Sequence, residues 1–168
     1  MSVQIQAEEQ RYNRQQIRDL ATELLINVGV REQFPTPLEE IIHYLGYTIE
    51  EFEPDEDTDR VSGAVNHRQQ TIYINHQDAP RRQMFTLAHE IGHIFLHREL
   101  EGSHVDYRDG AITPREQEAN HFAAELLMPE NHFRHTWMTW EGEPELVAAT
   151  YGVSAEAVRV RADILKLT

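Results

Sequence analysis

His89, Glu90 and His93 form the pattern H-E-x-x-H within residues 84–97. Apolar residues at Phe85, Ala88, Ile91, Ile94 and Phe95 recur close to a 3.6-residue period, which predicts a helix. Residues i and i+4 share a helix face, so His89 and His93 can aim two imidazoles at one point and chelate a single metal ion. Glu90 stands beside them, placed to act as a base toward a water at that ion. This is the arrangement of zinc-dependent peptidases. Core helices also carry paired histidines, so the pattern by itself is only moderately specific. Gly92 adds weight: mid-helix glycine costs about 1 kcal/mol against alanine, and its presence predicts a segment packed close to the backbone there.

A catalytic zinc takes three protein ligands, and the chain has no cysteine to supply one. His97 lies about 12 Å along the axis from His89 at 1.5 Å per residue, too far to converge. The longer motif with a glycine and a third histidine after His93 is excluded, because those places hold Leu96 and Glu99. A glutamate from a downstream helix crossing beneath the first remains. Residues 114–128 read as that helix, with a stripe of Phe122, Ala123, Leu126 and Leu127, and offer Glu116, Glu118 and Glu125. Glu116 is favoured, because Asn120 at i+4 can hydrogen-bond a ligand and fix its orientation. Glu118 has Phe122 at i+4, faces the packed side and stands as the substitute. Residues 113–116 also fit a capping box, in which Glu116 would serve only as a cap.

These side chains need a frame. Ile17, Leu20, Ala21, Leu24, Leu25 and Val28 predict an amphipathic helix over residues 10–28, stopped by Gly29. A shorter one follows Pro37, carrying Leu38, Ile41, Ile42 and Leu45. Residues 47–52, 61–66 and 71–75 read as three short strands, with 67–70 as a hairpin turn and Gly63 as a bulge or close approach. Between the first two strands, residues 50–59 hold seven carboxylates in ten positions, which reads as a solvated loop. The helix bearing the motif opens at Pro80, and residues 98–113 read as a loop. Residues 143–168 show two short helical patterns about Gly152, similar to a helix-turn-helix.

A chain of 168 residues is one domain with at most a small appended unit. Its net charge of −14 disfavours nucleic-acid binding, which draws on phosphate neutralisation. The tail does not reverse this: residues 143–168 carry four acidic and three basic side chains, so direct DNA binding is not expected, and a protein-contact or core role is. No apolar run approaches 18 residues, and residues 1–10 lack the pattern of a signal peptide. With no cysteine, these features predict a cytoplasmic protein.

Residues 87–93, together with Glu116-Gln117-Glu118-Ala119-Asn120-His121-Phe122-Ala123-Ala124-Glu125-Leu126-Leu127-Met128-Pro129, resemble the ImmA/IrrE family of metallopeptidases. The resemblance runs from the first helix to Pro129 and more loosely through the tail. It implies an α+β fold: a zincin-like metallopeptidase domain over residues 1–138 with a small three-stranded antiparallel sheet, then a helix-turn-helix-like segment over 139–168. It implies His89, His93 and Glu116 as metal ligands and Glu90 as catalytic base. Zinc is the expected metal, manganese the alternative. The substrate it implies is an XRE-type helix-turn-helix repressor, whose cleavage relieves repression of stress or mobile-element genes. The competing expectation is a metal-stabilised adaptor that binds the repressor without cutting it. Glu90 argues against that, since metal binding needs only the three ligands. A peptide is expected to lie extended along 61–66 or 71–75, and Tyr73, His104 and Tyr107 are candidates to stabilise the oxyanion.

Overall fold

The computed structural model describes residues 11–98, 103–108, 110 and 112–168. Helix α1 (Arg14–Val28) begins where Asn13 and Gln16 cap each other reciprocally, each side chain accepting the other's backbone N–H at 2.9 Å. Gly29, with φ of +83°, closes it in the left-handed conformation that glycine adopts without strain. Ile17, Ala21, Leu24 and Leu25 form its buried stripe, as the periodicity predicts. The short helix α2 (Leu38–Tyr44) buries Leu38, Ile41 and Ile42 on the same core.

The sheet corrects the sequence expectation. Among the described residues it has four strands in the order β1-β3-β2-β4, formed by β1 (Thr48–Phe52), β2 (Val61–Asn66), β3 (Thr71–Asn75) and β4 (Ser103–Tyr107). β2 runs antiparallel to both β3 and β4, whereas β1 runs parallel to β3. The sheet is therefore mixed, not three-stranded and antiparallel. The acidic segment after β1 is not a hairpin, and β3 comes to lie between β1 and β2. Alternation along a strand marks its two faces and carries no information on direction. β4 arises within a stretch read as loop, because Val105 and Tyr107, its apolar residues, are both exposed.

β2 and β3 are inner strands, so neither offers the free edge a peptide needs; the edges are β1 and β4. Gly63 combines both roles expected of it. The β2–β4 register slips between Val61 and Gly63. A side-chain carbon on Gly63 would also sit only 2.5 Å from Thr86 Cγ2, so β2 lies hard against α3 (Pro80–His97).

Helix α4 (Pro114–Leu127) crosses α3 and is followed by α5 (Glu130–Thr139), α6 (Pro144–Tyr151) and α7 (Ala155–Ile164). α5 was not legible in the sequence: its inward residues are Phe133, Thr136 and Trp137, a stripe too short and too polar to show a period. Val147, Ala148, Tyr151, Val153, Val158 and Ala162 from α6, α7 and their turn join the same core cluster as α1, α3 and α4. Arg161 of α7 is buried, with Nη2 donating to Glu125 Oε1 at 2.7 Å and Nε to the Met128 carbonyl at 3.1 Å. Such a charge needs both partners to be tolerated inside.

Candidate metal centre

The site is made by the crossing of α3 and α4. A carbon added at Gly92 would lie 3.1 Å from Ala119 Cα and 3.1 Å from its carbonyl oxygen. The two backbones meet as closely as glycine allows, which swings the first turn of α4 under His89 and His93. Glu116 then places Oε2 2.9 Å from His89 Nε2 and Oε1 3.1 Å from His93 Nε2. The two Nε2 atoms are themselves 3.1 Å apart.

His89, His93 and Glu116 form a cluster that could hold a metal ion, with all their ligand atoms within 4.8 Å of one another. Two imidazoles and one carboxylate match the donor set of catalytic zinc sites, in which a fourth position stays open. His89 and Glu116 line a cleft of about 1360 Å³, so the cluster faces open space. The capping reading holds in part. Thr113 accepts from the Glu116 N–H at 3.3 Å, while the Glu116 carboxylate turns toward the histidines.

Hydrogen bonds around the cluster fix which nitrogen each histidine presents. His89 Nδ1 lies 2.8 Å from Asn120 Oδ1. An amide oxygen can only accept, so Nδ1 carries the proton and the Nε2 lone pair faces Glu116. For His93 the relay is longer. Glu118 Oε1 accepts from His97 Nε2 at 3.0 Å, and His97 Nδ1 lies 3.1 Å from His93 Nδ1. Burial pushes the His97 pKa down, outweighing the opposing pull of Glu118. Neutral His97 therefore donates to Glu118 and accepts from His93, which leaves the His93 Nε2 lone pair exposed to the site. Both histidines are oriented through their far nitrogens, as metal-ligating histidines generally are.

The other expected residues fall into place around this. Glu90 follows His89 on α3 and is fully buried, and its Oε1 lies 3.3 Å from where a Gly63 side-chain carbon would be. Glycine at 63 leaves room for that carboxylate. Glu118 is buried outside the cluster; its Oε2 accepts the backbone N–H groups of Arg11, at 2.9 Å, and Tyr12. Glu125 is engaged with Arg161. Tyr73 donates its hydroxyl to Gln69 Oε1 at 2.8 Å at the surface, whereas Tyr107 lines the cleft. The His104 side chain lies outside the described residues. Sequence reasoning discarded His97 as a ligand and missed its place behind His93. The signal was there, because His97 repeats the i, i+4 step that links His89 to His93.

A mixed sheet backed by an H-E-x-x-H helix, with a carboxylate delivered by a crossing helix, defines a zincin-like domain of metallopeptidase type. Residues 42–163 match the model of the IrrE N-terminal-like domain, Peptidase M78, and the chain belongs to that family. Among solved structures, a Mycobacterium tuberculosis transcriptional regulator is similar, with a TM-score of 0.64 and 17% identity over 84% of this chain. The match covers 44% of that regulator, so this chain spans less than half of its length, and the likeness is one of fold. No curated protein matches this chain.

Proposed function

We propose that this protein is a zinc-dependent endopeptidase that cleaves an XRE-type helix-turn-helix repressor and so relieves repression of stress or mobile-element genes. The observation that carries the reading is the His89–His93–Glu116 cluster at the cleft, with the buried carboxylate of Glu90 next to it in sequence. Zinc, or manganese, held by that cluster supplies a Lewis acid that polarises a peptide carbonyl and acidifies water.

Glu90 takes a proton from the attacking water and hands it to the departing amine. The carbonyl carbon gains the hydroxyl as the C–N bond breaks. Acid–base help of this kind is typically worth roughly 10²–10⁴-fold. The substrate lies extended on the free edge of β4, where main-chain hydrogen bonds hold it as an added strand. Tyr107, exposed on that wall, is the oxyanion donor in this reading.

A repressor substrate places the reaction in the cytoplasm. Among the described residues no helix is long and apolar enough to cross a membrane. The structural neighbour is a transcriptional regulator, which accords with a partner in gene control. A non-cleaving adaptor would have no use for Glu90. Co-expression with a candidate XRE-type repressor, followed by intact mass measurement, tests the proposal. One defined cut with the native protein and none with His89→Ala is expected. Intact repressor beside metal-loaded native protein would favour the adaptor.

A further inference from the structure

The described lining of the cleft carries a charge opposite to that of the protein. Among the described residues, six of the chain's fifteen lysines and arginines line it, namely Arg14, Arg81, Arg82, Arg108, Arg115 and Arg161, against two carboxylates, Glu116 and Glu156. Local pairing reduces the excess without removing it. Arg161 is matched by Glu125, and Arg82 and Arg108 share the single carboxylate of Asp78. Arg14 and Arg81 are exposed and pair with no carboxylate among the described residues.

The backbone adds to the same field. Ala79, Thr113 and Ser154, the cap residues that open α3, α4 and α7, all lie on the cleft wall. Each helix start carries a partial positive charge from the aligned peptide dipoles behind it. Three such ends together with the arginines make a cationic trough in an anionic molecule, and walls of low dielectric focus such a field.

The shape of the trough points to a peptide. One wall is the outer edge of β4, which pairs with no further strand among the described residues and can take an extended backbone, and Val105, Tyr107 and Ile112 present exposed apolar surface there. α7 lines the same cleft through Ala157 and Val160. Resting on the peptidase reading above, we infer that the segment bound in this cleft is an acidic peptide: a short apolar stretch at the metal cluster, flanked by Asp or Glu that meet the arginines. The helix-turn-helix-like tail then serves as a substrate-selecting wall. The acidic surface outside the cleft repels the same peptide elsewhere, which adds to selectivity.

Binding can be read without turnover. Three fluorescein-labelled peptides share one apolar centre and carry flanks of Glu, Gln or Lys. Their affinities for zinc-loaded Glu90→Gln protein are measured by anisotropy at low and high salt. The Glu-flanked peptide is expected to bind at least about tenfold tighter than the Lys-flanked one at low salt, with the gap closing as salt screens the charges. Arg14→Glu with Arg81→Glu should abolish the preference, whereas Arg159→Glu, on the outer face of α7 against Glu145, should keep it. Equal or inverted affinities, no binding of any peptide, or an oligonucleotide that outcompetes the acidic peptide would overturn the inference. Native protein that cuts all three peptides alike would reject the acidic preference and leave the peptidase. Acidic peptide bound but never cut by metal-loaded native protein would do the opposite.

Discussion

Gly92 and Ala119 set the separation of the two helices that make the site: a carbon on Gly92 would lie 3.1 Å from the Ala119 backbone. Gly92→Ala gains about 1 kcal/mol of helix propensity but overpacks a backbone contact, typically at about 1–3 kcal/mol. The backbone of α4 cannot swing aside as a side chain would, so overpacking should win. A lowered thermal midpoint together with weaker zinc retention against a chromophoric chelator is expected. Unchanged retention would mean the crossing distance does not set the cluster.

Glu116 and Glu118 should behave differently because one faces the histidines and the other stands behind them. Glu116→Ala should purify without metal. Glu118→Ala should keep a metal bound roughly 10–100-fold more weakly, as loss of an orienting partner generally does. It should also be less stable, since His97 and the N–H groups of Arg11 and Tyr12 lose their acceptor. Elemental analysis and a chelator titration of the two proteins decide this. An empty Glu118→Ala beside a fully loaded Glu116→Ala would reverse the assignment.

Arg161 joins α7 to α4 as a buried charge, so Arg161→Met should cost about 3–5 kcal/mol by stranding Glu125. Adding Glu125→Gln should recover part of the loss. Urea midpoints of the single and double variants measure it, and equal stabilities would show that the pair is not coupled. Of the two arginines on α7, only Arg159 is exposed. Duplex DNA retention should sit at background in native protein and in Arg159→Glu alike.

His132 supplies a pH dependence. Its Nδ1 lies 2.7 Å from the Tyr151 hydroxyl. Burial chiefly holds its pKa below the ordinary value of 6.5, with His135 adding to the effect and Glu32 opposing it. Below about pH 6.5 the unfolded chain therefore binds a proton that the folded chain refuses, and stability falls as pH drops toward the folded pKa. His97 and His121 are shifted the same way by burial and are common to both proteins compared. The drop in urea midpoint from pH 7.5 to 5.5, measured in chelator, should be smaller in His132→Gln than in the native protein. An equal or larger drop would remove His132 from the account.

Helices α1, α3 and α4 were legible because each buries one stripe at a helical period, and the Glu116–Asn120 spacing carried the choice of carboxylate. Gly92 announced the close crossing through its own cost. β1 and β4 were not legible in full: strand direction leaves no mark in alternation, and the apolar residues of β4, Val105 and Tyr107, are exposed rather than set in a core stripe. The free edge of the cleft was therefore assigned to the wrong strands. The His93–His97–Glu118 relay was hidden for another reason. Distance along the helix excluded His97 as a ligand, and it gave no hint that a buried carboxylate from α4 would meet its far nitrogen.

The most direct test of the central claim is Glu90→Gln, which keeps size and polarity and removes the proposed base. The repressor is incubated with native or altered protein, each shown by elemental analysis to carry a full complement of zinc, and its mass is followed in time. One cut with native protein, and none with Glu90→Gln despite equal metal and equal repressor binding, is the expected result, because the transition state loses proton transfer while the ground state loses little. A cut that persists at the native rate in Glu90→Gln would contradict the mechanism.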